Sequence, residues 1–222
     1  MKKFTLSDGA ALAIWLLPAV YLLVVYSAMP QVVPLHYGLN GNVDRYGSKS
    51  EFLMGPGILM GASALVYLLL KYLPSIDPKK QVKYGEATFQ KIGLGLVVFL
   101  SALDLVIIFA TIHHRFQIEK LMLPVIGLMM AFLGNVFNTV KPNYFAGFKT
   151  PWALENEDNW RATHRVAGRI WLAGGIAITI FTLFLSPATG TVIMLCLVAI
   201  MSIFPYAYSY NYFKKHRSEQ NS

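Results

Sequence analysis

The stretch IGLGLVVFLSALDLVIIFATI, residues 92–112, decides the fold class. It has the length of one bilayer crossing, about 20 residues at 1.5 Å of rise each, and it holds neither Lys nor Arg. Working outward, runs of the same kind occupy 9–29, 53–73, 121–140, 167–186 and 189–211. Of the 222 residues, 55% are apolar and only 14% charged, well short of the roughly one quarter charged in soluble domains. No apolar run of comparable length is left over. The expectation is therefore an all-α, polytopic membrane protein, a single bundle of six transmembrane helices spanning residues 1–222. Lys2 and Lys3 precede the first run, yet it is longer than the 7–15 residues typical of a signal-peptide core, so it reads as a retained helix.

Charge placement orients the bundle. If the N-terminus is inside, only Arg45, Lys49, Arg115 and Lys120 of the 19 Lys and Arg residues fall outside. The positive-inside rule then puts both termini of this multi-pass chain in the cytoplasm. The net charge of +8 follows from this bias, and direct nucleic-acid binding is not needed to explain it. The basic, twice-Pro segment 74–91 reads as an inner loop beside anionic headgroups, which makes membrane lipid an expected partner.

The outer connector, residues 30–52, reads PQVVPLHYGLNGNVDRYGSKSEF. Pro30 ends the first helix. Asn40-Gly41 and Tyr46-Gly47-Ser48 are turn signals. His36, Asn40, Gly41, Asp44 and Tyr46 are candidates for an outer-face binding site. The competing reading is a solvated loop braced by an Asp44–Arg45 or Asp44-to-backbone bond. One His and one Asp are too few for a metal, and the single Cys196 makes neither disulfide nor metal site and reads as buried packing. No metal and no cofactor are expected.

Asp104 lies 13 residues beyond Lys91, about 20 Å into the membrane at helical rise. A carboxylate there costs about 2.5–3.5 kcal/mol on insertion scales, so it should face the bundle interior with a partner. Ser101 and Thr111 share its face, and His113 and His114, or the outer segment folding inward, match its depth. Either a proton-sensitive acid or a hydrogen-bonded protonated one fits.

The inner connector, 141–166, is the second polar signature. Asn135 and Asn138 sit at i, i+3 on the fourth helix, where Asn commonly bonds across helices. Asn156 looks like an N-cap followed by Glu157 and Asp158. From there Trp160, His164 and Gly168 share one helical face, and Arg161, Arg165 and Arg169 the next. Snorkelling anchors explain the Arg stripe and an interfacial belt explains Trp152 and Trp160; His164 has no such generic use. Gly57 and Gly61 carry a close-packing spacing, and Gly93, Gly127, Gly134, Gly168, Gly174 and Gly175 add to it. There is no HExxH, GxSxG or phosphate-cradling Gly loop. His164 with Glu155 or Asp158 would be the sole acid/base pair, so no catalytic residue is named and an enzyme is not the favoured reading.

Two blocks carry a resemblance. Pro30 to Lys49 reads P-x-x-x-P-x-H-Y-x-x-N-G-x-x-D-x-Y-G-S-K. Gly134-Asn135, Lys141-Pro142-Asn143, Gly147 to Leu154 and Trp160 to Gly168 read G-N, K-P-N, G-F-K-T-P-W-x-L and W-x-x-T-H-R-x-x-G. Together they resemble the SdpI family of bacterial toxin-immunity membrane proteins, whose outer block is an N-terminal domain of unknown function. Lys149 stands where that family usually has Arg, which keeps the charge and loses the bidentate geometry. The resemblance implies protection against a secreted membrane-active peptide toxin and signalling to a cytoplasmic repressor. It implies a toxin-facing role for His36, Asn40, Gly41, Asp44 and Tyr46. For the signalling or effector side it implies Lys149, Trp152, Trp160, His164 and Arg165, with Asn135, Lys141, Asn143, Gly147 and Thr150 completing the inner signature, and it implies a bacterial plasma membrane as the location. Two alternatives stand beside it: a small proton-coupled transporter or flippase using Asp104, and a membrane-embedded enzyme acting on lipid or peptide with His164 as base.

Overall fold

Thr5-Leu-Ser-Asp8 is a capping box: the Thr5 side chain accepts from the Asp8 N–H, and the Asp8 carboxylate accepts from the Thr5 N–H at 2.7 Å. It starts the first helix of the computed structural model, which describes residues 4–38, 42–77, 85–113 and 118–220. The elements in order are α1 (Leu6–Val25), β1 (Val32–Tyr37), β2 (Val43–Ser48), the short α2 (Lys49–Phe52), α3 (Met54–Ile76), α4 (Glu86–Ile112), α5 (Glu119–Phe137), α6 (Pro151–Glu155), α7 (Glu157–Phe184) and α8 (Pro187–Gln220). Among the described residues six helical spans, with α2 and α3 forming one of them, are long and apolar enough to cross a membrane. Alternating direction gives the bundle a hairpin end and a signature end. The chain is a multi-pass, six-helix membrane protein.

The bundle divides into two groups. Helices α1 and α3 pack on α4, helices α7 and α8 pack on α5 and each other, and the groups meet along α4 and α5. The α5–α7 interface is the closest. A Cβ at Gly127 would sit 2.7 Å from the Thr179 nitrogen, and one at Gly168 would sit 2.8 Å from the Gly134 carbonyl. Those glycines are what let two backbones approach this far. Gly57 and Gly61, four residues apart on α3, meet nothing within 4 Å. They lie off the packed face of α3, which meets α4 through Tyr67 and Leu70 against Gly93, so the close-packing expectation fails for this pair. Cys196 is likewise exposed on α8 rather than packed.

Indole N–H groups staple the helices. Trp15 of α1 donates to the Met60 carbonyl of α3 at 2.9 Å, and Trp171 of α7 donates to Met201 of α8 at 2.8 Å. At the signature end the buried Asp8 takes a 2.8 Å hydrogen bond from the Tyr67 hydroxyl and an ion pair from Lys71 at the same distance. A buried charge is tolerable only when so fully paired. This cluster was not among the sequence expectations, although a Thr-x-x-Asp ahead of an apolar run is its visible half.

The outer connector is not the irregular loop expected but an antiparallel hairpin in which Val32 faces Ser48 and His36 faces Arg45, with two register irregularities. Val32, Val33, Val43, Tyr37 and Tyr46 favour extended backbone. A lone two-stranded hairpin is marginal. This one is held down by Val33, fully buried among Met29, Phe52 and Ile108.

Candidate functional site

The hairpin end carries a groove of about 610 Å³. Its walls are Ile58 and Leu59 of α3 and Met122 and Ile126 of α5, with His36, Arg45 and Glu51 at its polar rim. The groove lies where the two helix groups diverge, with the hairpin as its cover. His36 Nδ1 lies 2.6 Å from the Asp44 carboxylate, with both side chains exposed. Arg45 pairs with Glu51 instead of with Asp44, because neighbouring strand positions point to opposite faces. Tyr46 is exposed and does not line the groove. Asn40 and Gly41 lie outside the described residues.

Asp104 is 1% exposed, and among the described residues neither carboxyl oxygen has a hydrogen-bond partner. Ser101 and Thr111 are buried as expected. The expected partner His113 is not one, since its Nδ1 lies 3.1 Å from its own-turn Phe109 carbonyl and its ring stacks on Phe109. His114 lies outside the described residues.

At the signature end most motif residues hold the connector's shape. The Asn143 amide donates to the Lys141 and Ala146 carbonyls, and its oxygen accepts from the Phe145 and Ala146 N–H groups, both at 2.8 Å. Thr150 caps α6, with Pro151 at the first helical position. The Thr150 hydroxyl also meets Ser209 of α8 at 2.6 Å. Asn156 caps α7 through the Asn159 N–H at 2.9 Å. Asn159 itself binds Ser209 and Thr163, closing a buried polar cluster across α6, α7 and α8. Asn159, Thr163 and Ser209 were not singled out from sequence; the i, i+4 spacing of the first two was the available signal.

His164 is fully engaged. Its Nε2 accepts the Phe148 N–H at 3.1 Å, so Nδ1 carries the proton and donates to the Trp160 carbonyl at 2.9 Å. The ring stacks on the Trp160 indole, which is itself fully buried and donates to Val140 at 2.8 Å. An imidazole held this way pairs with neither Glu155 nor Asp158 and has no lone pair left for base catalysis. Trp160 is a core residue, not an interfacial one. Gly147 has φ +113°, and a Cβ there would strike His164, so this turn requires glycine twice over. Trp152 packs on Tyr210 and Phe213 of α8.

Asn135 and Asn138 are exposed and, among the described residues, make no bond across helices. The glycine face of α5 takes the close contact with α7, leaving Asn135 turned towards α4. What the connector presents outward is Tyr144, Phe145, Lys141 and Lys149, with Arg161, Arg165 and Arg169 on α7. Arg161 is held by Glu157 at 2.6 Å. Among the described residues no group of His, Cys, Asp and Glu could hold a metal ion.

The model of the SdpI/YfhL protein family matches residues 139–209, which run from the end of α5 through the connector, α7 and most of α8. A model for a domain of unknown function, DUF1648, matches residues 13–60, which hold most of α1, the hairpin and the start of α3. The chain is 22% identical over 196 residues to the immunity protein SdpI of Bacillus subtilis, covering 87% of this chain and 89% of that one. It is 38% identical over 58 residues to an uncharacterized protein of Archaeoglobus fulgidus, covering 26% of this chain and 30% of that protein. No solved structure matches. Both polar signatures are thus matched, one in each helix group: residues 139–209 are similar to the SdpI/YfhL family and residues 13–60 to the domain of unknown function, in a chain similar over most of its length to one immunity protein.

Proposed function

We propose that the protein is an immunity protein that protects its host cell by holding a secreted, membrane-active peptide in the groove beneath the hairpin. The observation that carries this reading is the groove itself: an apolar trough at a membrane-helix end, rimmed by His36, Arg45 and Glu51. That combination suits an amphipathic peptide, apolar face in the trough and polar face on the rim. The relative's immunity role supports the same reading. In this reading the hairpin faces outward and both termini face the cytoplasm, as the positive-inside rule directs. The signature end presents Tyr144, Phe145 and Lys149 to a cytoplasmic repressor. Peptide seating under the hairpin biases the packing of the two helix groups along α4 and α5.

The test is survival of a sensitive bacterium challenged with membrane-active peptides, at matched membrane abundance. The wild-type protein confers protection, and Ile58→Trp, which fills the groove, removes it. Groove-filled protein that protects as well as wild type refutes the site; abundant wild-type protein that protects against no peptide refutes the function.

Asp104 favours a second reading, proton-coupled transport, because an unpartnered buried carboxyl is where a membrane protein takes up a proton. Collapse of the proton gradient abolishes protection in that case and leaves it intact in the first.

A further inference from the structure

Beside the C-terminal end of α5, at the signature end, lies a second cavity of about 580 Å³ that neither the hairpin groove nor a repressor surface uses. It is lined by Asn138, Lys141, Glu157, Arg161, Arg165 and Arg169, among others. Four cations face one carboxylate, and that carboxylate is taken by Arg161. Among the described residues Arg165 and Arg169 have no acidic partner, and the Asn138 amide has no hydrogen bond. The bare Gly168 leaves that amide its room: a Cβ there would lie 3.3 Å from Asn138 Nδ2. From Arg161 to Arg169 the stripe climbs about 12 Å along α7, from beyond the apolar run to two residues within it. Cations at that depth sit among lipid headgroups.

A third cavity of about 570 Å³ runs between α4 and α5. Leu94, Val98, Phe99, Leu128 and Phe132 make it almost wholly apolar, and Lys91 and Asn135 mark its signature-end mouth. Thr139 lines both this crevice and the basic cleft. Its hydroxyl is occupied, donating to the Val136 carbonyl at 2.7 Å and accepting from Thr88 at 3.2 Å. A cationic cleft that shares a wall with an apolar trough has the two chemistries of one amphiphile. Snorkelling anchors alone need neither a concavity nor a trough beside it.

We propose that the cleft and the crevice together bind one anionic phospholipid, its phosphate held by Arg165, Arg169 and Lys141 and an acyl chain laid between α4 and α5. Guanidinium groups fork onto phosphate oxygens, and the Asn138 amide supplies a neutral donor.

The experiment uses the full chain purified in a neutral detergent. Native mass spectrometry counts retained phosphatidylglycerol, phosphatidylcholine and inorganic phosphate, each added at the same concentration. Wild type retains phosphatidylglycerol about tenfold over phosphatidylcholine, the discrimination expected of paired guanidinium–phosphate contacts. The Arg165→Gln/Arg169→Gln double variant lowers that retention about fivefold or more, and the Lys/Lys version at the same positions keeps part of it. Val98→Trp, which fills the crevice away from the charges, loses the lipid and keeps inorganic phosphate. Inorganic phosphate retained as well as phosphatidylglycerol, with the same Arg dependence, keeps the phosphate site and assigns it to a soluble ligand. Equal retention of the two lipids, unchanged retention in a folded double variant, or displacement of the lipid by an octaglutamate peptide overturns the proposal; the last would make the cleft a dock for acidic protein.

Discussion

His164 accepts from the Phe148 N–H and donates to the Trp160 carbonyl, so its ring ties the connector to α7 as a peptide group would. His164→Ala strands a buried N–H and removes the ring beneath the Trp160 indole; unfolding in detergent should show a loss of about 2–3 kcal/mol. Gly147→Ala combines a left-handed backbone with a collision at the same ring, and a loss of at least about 1 kcal/mol is expected in the same measurement. Asp104 runs the other way. Replacing an unpartnered buried carboxyl with Leu raises the unfolding temperature, since apolar residues fill such sites at less cost. If Asp104→Leu is more stable yet no longer protects, the acid is kept for its chemistry. The sequence showed His164 sharing a face with Trp160 and Gly168, which is visible from spacing. It did not show the Phe148 N–H, because that bond depends on a loop folding back over 16 residues.

Between elements, glycines on a helix face have two outcomes. Gly134 on α5 faces α7 so closely that a Cβ would strike the Leu172 nitrogen, whereas Gly61 on α3 faces open space. Gly134→Leu forces α5 from α7 and should abolish accumulation of folded protein, while Gly61→Leu leaves abundance unchanged; size-exclusion profiles in detergent distinguish the two. Spacing within one helix says nothing about which neighbour is there, and for that reason the Gly57–Gly61 pattern misled. The hairpin was hidden for a related reason. Pro34 and Gly47 interrupt its strands, and its anchor is one side chain, Val33, whose burial depends on Phe52 and Ile108 from other elements. The six helices were legible because a bilayer imposes their length and composition on each segment independently.

Taken whole, the molecule is two three-helix groups sharing one seam, with the hairpin groove at one end of that seam and the apolar crevice towards the other. Orientation is a property at this scale. With Cys196 replaced by Ser, a single Cys at Asp44 should react with a membrane-impermeant maleimide in intact cells, and a single Cys at Lys149 only after lysis; the reverse pattern would invert the topology. The indole staples then acquire an optical use. Trp15 reports on the α1–α3 contact, Trp171 on α7–α8 and Trp160 on the connector's junction with α7. Trp152, on Tyr210 of α8, likewise stays within one group, but Ile92 of α4 packs against the cluster that holds Trp160. Movement of the two groups as rigid bodies would therefore shift the emission of Trp160 alone, while loosening within either group would shift that of the others.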